Sequence, residues 1–152
     1  MSWIKPNFLW MMYRSGWASK EGQEHILAVR LKRSFLDEVL VASVASTFSA
    51  SHHASHEKWQ DAVVQSDVRL QWDPDHDPNG RCLERRAVQL GLRGETLRRF
   101  GQNELLSIED ITPFVIEQRE YLKEGFKGLQ TPSEQIYRPH SNTAALAVGI
   151  DL

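Results

Sequence analysis

Apolar positions along the chain change their period several times, and each change marks an element. Phe8 to Met12 form a dense apolar run behind Pro6-Asn7, and Gly16 follows. Proline suits a first helical turn and glycine a helix end, so a short helix is expected through Arg14. Trp3, Trp10 and Trp17 recur every seven residues, a spacing that would turn them one way. Between Glu24 and Lys32, the nearly continuous run Ile26, Leu27, Ala28, Val29, Leu31 reads as a buried strand. Ser34, with Asp37 three residues on, resembles a capping box for a helix that buries Phe35, Leu36, Val39 and Leu40. Residues 43–56, rich in Ser, Ala and His, read as a loop. Ser55 then starts a helix carrying Trp59, Val63 and Val64.

The second half is clearer. Val68–Trp72 and Ala87–Leu92 alternate apolar and polar residues, and the turn formers Asp73 to Gly80 lie between them. Such a pattern predicts a hairpin. A short helix at 94–100 and a strand at 105–108 follow. Thr112-Pro113 opens a last helix that runs to about Glu124 and stops at Gly125. Residues 126–152 show no period, and the end from Asn142 to Leu152 reads as a loosely attached tail. Four strands and about five short helices without strict alternation predict a single α+β domain with a mostly antiparallel sheet.

Composition narrows the class. At 152 residues, 41% hydrophobic and 25% charged, the chain has the make-up of one folded domain. No apolar run approaches eighteen residues, so no membrane span is expected. A lone cysteine, Cys82, fits a reducing compartment, and a cytoplasmic location is expected. Net charge is −2, yet two segments are basic. Residues 1–33 carry Lys5, Arg14, Lys20, Arg30, Lys32 and Arg33 against Glu21 and Glu24. Residues 81–99 carry Arg81, Arg85, Arg86, Arg93, Arg98 and Arg99 against Glu84 and Glu95. Basic segments in an acidic body favour a local site for a small anionic ligand or nucleotide over general nucleic-acid binding.

Candidate chemistry is dispersed. Asp73, Asp75, Asp77 and Asn79 alternate, but a calcium loop starting at Asp75 would end on Arg86 instead of a bidentate Glu. His52, His53 and His56 lack an accompanying carboxylate pattern, and no metal is expected. Gly91-Leu-Arg-Gly-Glu95 turns from strand to helix, where free amides and Arg93 would suit a phosphate. Trp3 and Trp17, beside Lys5 and Arg14, have the aromatic-plus-cation character that stacks on a base or nicotinamide ring. Glu109 and Asp110 sit where a strand gives way to a helix, a common place for a catalytic carboxylate.

The block Trp3-Ile-Lys-Pro-Asn-Phe-Leu-Trp-Met-Met-Tyr-Arg-Ser-Gly-Trp17 closely resembles the signature of domain-of-unknown-function family 4291. Lys20–Leu31, Val68–Pro74, Ala87–Gly94 and Ile108–Ile111 resemble the same family in the same order. The resemblance implies a family domain over 1–139 followed by a tail, 140–152. It also implies a chain shortened at its N-terminus, because members carry a further strand and helix ahead of this block. That order of elements is similar to the first half of ADP-ribosyltransferase-like folds. Under that likeness the cofactor is NAD or another nucleotide, and Lys5, Arg14 and Arg93 hold phosphates. Trp3 or Trp17 stacks on a ring and Glu109 is the catalytic acid. The alternatives are a non-catalytic RNA- or nucleotide-binding module and a structural or interaction protein.

Overall fold

The hairpin expected between residues 68 and 92 is the centre of the molecule, whose computed structural model describes residues 1–150. Strands β4 (Val68–His76) and β5 (Cys82–Leu92) pair antiparallel along nearly their whole length, with a bulge between Pro74 and His76. Two short strands complete this sheet. The edge strand β1 (Ser2–Ile4) runs antiparallel to β5, with Trp3 opposite Gly91. On the other side β3 (Ser43–Ala45) lies parallel to β4, giving the order β1-β5-β4-β3. A separate antiparallel ribbon joins β2 (Leu27–Leu31) to β6 (Leu105–Asp110). The helices are α1 (Phe8–Ser15), α2 (Arg33–Val41), α3 (His56–Gln65), α4 (Gly94–Arg99), α5 (Thr112–Lys123) and α6 (Asn142–Ala147). The class is α+β, as the sequence pattern predicts, with a mixed sheet because β3 is parallel.

One face of the sheet carries the main core. Val68, Leu70, Leu90 and Leu92 project onto Phe35, Val39 and Leu40 of α2 and onto Ala144 and Val148 at the chain's end. A fully buried leucine contributes about 2 kcal/mol by desolvation, so this face dominates stability. The second cluster joins Met12 of α1 to Trp17, Ala18, Ile26 and Val115 of α5. Gly16 ends α1 at φ 58°, and the chain stays left-handed through Trp17 and Ala18. That costs each of the two non-glycine residues roughly 1–2 kcal/mol, held in place by burial and by Arg119, which donates to the Trp17 carbonyl at 3.3 Å.

Several expectations are corrected. The three tryptophans do not share a face: Trp3 is 48% exposed on an edge strand, whereas Trp17 is 3% exposed in the core. The apolar run 26–31 is not a buried strand, because Leu27 and Val29 look outward on the ribbon and Ile26 is the buried member. Helix α2 starts at Arg33 without a side-chain cap. Asp37 instead accepts from Tyr137 Oη at 2.7 Å and from the His140 backbone at 3.1 Å. Those bonds anchor the segment read as a loose tail. Its helix α6 is capped by Ser141 and buries Ala144 and Ala145, so apolar packing holds it even though it is too short to show a period. Residues 151 and 152 of that predicted tail lie outside the described residues.

Candidate functional site

The residues proposed from sequence do not converge. Lys5 is consumed at the junction of β1, α1 and the hairpin. Its ammonium lies 2.8 Å from Asp73 Oδ2, is 2% exposed, and stands 3.1 Å from the centre of the Trp10 ring. Burial pulls its pKa down to about 8 against the opposing pull of Asp73. Trp3 covers Gly91, where a Cβ would come 3.0 Å from the indole. Arg14 is exposed on α1, and Trp17 lies in the second core with its indole N–H buried and without an acceptor among the described residues. Arg93 serves as a cap, donating to the carbonyls of Val63, Val64 and Ser66 at the end of α3. Glu109 stands exposed on the ribbon opposite Ala28.

The strand-to-helix turn at Gly91–Glu95 also has its anion already. Asp67 Oδ2 accepts from the backbone N–H of Glu95 at 2.9 Å and of Thr96 at 3.3 Å. The amides that would suit a phosphate therefore hold the protein's own carboxylate. Most of the second basic segment is likewise neutralised. Arg85 pairs with buried Asp75, Arg98 with Glu95, and Arg99 with both Glu38 and Glu104. Arg81 and Arg86 remain without a carboxylate partner among the described residues.

What the fold does build is a cavity of about 790 Å³ at the β3 edge of the sheet. β3 stops at Ala45, and after Ser46 donates to the Leu70 carbonyl at 2.8 Å the chain turns away through a 3-10 turn at Phe48–Ala50. β4 continues beyond that point, so Gln71 and Trp72 have no partner on the β3 side and, with Leu70, form the floor. The loop is fixed from behind by aromatic contacts. Phe48, His56 and Trp59 pack with ring centres 5.0–6.2 Å apart, and Trp59 Nε1 donates to the Ala45 carbonyl at 2.9 Å.

Helix α6 forms the opposite wall, tied down where Trp72 Nε1 donates to the Val148 carbonyl at 3.2 Å. The two sides differ in chemistry. Loop and strand residues bring Ser43, Ser46, Thr47, Ser51, His52, His53 and Arg86 together with Val44, Ala45 and Ala50, whereas α6 and its C-terminal end bring Leu146, Ala147 and Val148 and one hydroxyl, Thr143. Arg86 spends one N–H on the Trp72 carbonyl, leaving the rest of its guanidinium for another acceptor. His53 Nδ1 is buried and has no hydrogen-bond partner among the described residues. No Asp or Glu lines the cavity among the described residues. The site can therefore take a ligand with an apolar body and an anionic or hydrogen-bonding end.

Sequence reasoning missed this site. Its one visible signal was the Ser- and His-rich stretch 43–56, read as a solvated loop.

Fold and cavity together define a small α+β domain with a ligand-sized, carboxylate-free cleft at a sheet edge. The chain belongs to the family described as a domain of unknown function (DUF4291), whose match covers residues 1–137. No curated protein and no solved structure matches it significantly. Helix α6 lies beyond the family match. Among the described residues no helix is long and apolar enough to cross a membrane.

Proposed function

We propose that this domain binds a small nucleotide-type ligand, a planar ring joined to an anionic group, in the cleft beside β3. The observation that carries the reading is the cleft itself. Among the described residues it combines one Lys or Arg (Arg86), a His53 whose Nδ1 is unpartnered and several hydroxyls with the mostly apolar α6 side, and no carboxylate to repel an anion. A volume of about 790 Å³ is in the range of small-molecule sites. NAD, ADP-ribose and mononucleotides all have the required chemistry.

ADP-ribosyl transfer would be the catalytic extension of this reading, with Glu109 as its acid. Glu109 belongs to the ribbon and not to the cleft lining, so binding without catalysis is the form favoured here. RNA binding through the basic segments is disfavoured, since four of the six arginines in 81–99 are held by carboxylates or by helix-end carbonyls. Titration calorimetry with AMP, ADP-ribose and NAD tests the proposal. Saturable heat, weakened at least tenfold by Arg86→Gln, is expected. Absence of heat with all three at millimolar ligand would overturn it.

A further inference from the structure

One wall of the cleft that Arg86 lines comes from a part of the chain that the family match does not include. Helix α6 is only six residues long, yet it is firmly placed. Ala144 and Ala145 are buried in the core, Trp72 binds the Val148 carbonyl, and Asp37 holds Tyr137 and His140 just ahead of the helix. Those anchors leave Leu146 facing the cleft with 73% of its surface exposed. A large aliphatic side chain left in the open, in the same lining as a guanidinium and hydroxyls, has the placement of a contact awaiting an apolar partner.

Building on the proposed nucleotide binding, we infer that Leu146 is a specificity-determining residue: the ligand's planar ring packs against it while the anion lies toward Arg86. The floor and cationic side then belong to the family domain, and selectivity among ligands sharing one anion resides in the C-terminal segment. Ligands of equal charge are separated by how much apolar ring they bury against α6.

The test uses the full chain and two probes that share a phosphate, AMP with its ring and ribose 5-phosphate without one. Leu146→Ser should weaken AMP about tenfold, the loss expected when part of one leucine contact disappears. It should leave ribose 5-phosphate unchanged within twofold. Leu146→Met should keep AMP affinity within about threefold, and because Leu146 is exposed all variants should melt like the parent. An unchanged AMP affinity in Leu146→Ser, alongside a loss in Arg86→Gln, would overturn the role of Leu146 while leaving nucleotide binding standing. Equal losses for both probes would also overturn it. If neither probe binds the parent protein, nucleotide binding fails and the selectivity wall with it.

Discussion

Replacing Lys5 with methionine isolates the electrostatics of the buried corner under Trp10. The ammonium is 2% exposed, and Asp73 sits 2.8 Å away with its second oxygen taken by Gln71 at 3.0 Å. Loss of hydration outweighs the ion pair, so the pKa falls from 10.5 to about 8. Between those two values the unfolded chain still holds a proton that the folded chain has released. Unfolding free energy therefore rises with pH across that window and is lowest below it, where both states are protonated. Each tenfold change in proton affinity corresponds to 1.36 kcal/mol. The full swing is thus about 3 kcal/mol, a sizeable part of the 5–15 kcal/mol typical of a domain. Urea denaturation of parent and Lys5→Met at intervals from about pH 7 to 10.5 measures it. Subtracting the variant removes every other group that titrates in that range. The parent should gain stability relative to the variant as pH rises, by up to about 3 kcal/mol. A difference that stays flat, or that falls, would refute the argument.

Three further perturbations test the surrounding architecture. Gly94 has φ +53°, and a Cβ there would collide with the Asp67 carboxylate. Gly94→Ala should therefore cost at least about 2 kcal/mol in chemical denaturation. At Asp37, burial pushes the carboxyl pKa up, but hydrogen bonds from Tyr137 and His140 outweigh it and hold the value below normal. The stabilisation is present above the unfolded carboxyl pKa and is lost as pH falls through the folded value. Asp37→Asn should speed amide exchange in residues 144–148 near neutral pH and match the parent in strong acid. Trp72→Phe removes the bond to the Val148 carbonyl, about 1 kcal/mol, and should loosen α6 in the same exchange experiment without altering β4 and β5.

Elements with a local signature were legible from sequence. The hairpin showed itself because alternation in 68–72 and 87–92 fixes which face is buried, although the turn is shorter than the expected Asp73–Gly80: β4 runs on through His76, leaving residues 77–81 between the strands. Helix α5 showed itself through Thr112-Pro113, although Thr112 is its first residue and its hydroxyl accepts from the Ile26 amide at 2.9 Å. Short strands escaped for a physical reason. β1 and β3 have three residues each, and no intrinsic preference defines them. β1 exists because Gly91 lets Trp3 lie close across β5, and β3 exists because β4 offers an unpaired edge. The ribbon was misjudged for the same reason, since five apolar residues among the six of 26–31 do not say whether one face will be covered.

The cleft was less legible still, because its chemistry is divided among pieces that mean little apart. Arg86 looked like one of six basic residues in its segment; the ion pairs made by Arg85, Arg93, Arg98 and Arg99 leave it and Arg81 without a carboxylate among the described residues, and of those two Arg86 is the one that lines the cleft. His53 looked like a solvated loop histidine until the loop folded over the β4 edge and buried its Nδ1. Leu146 lay in an alanine-rich end with no period. Conversely Lys5, Trp17 and Arg93 looked functional because cations and aromatics mark binding sites, yet the same properties suit a buried pair, a core ring and a helix cap. What separates the two uses is whether the polar atoms are already satisfied. Lys5 and Arg93 spend their donors internally, and Trp17, though its N–H is unpaired, is sealed in the core. The guanidinium of Arg86 and the imidazole of His53 retain capacity beside open volume, and a ligand can use only capacity of that kind.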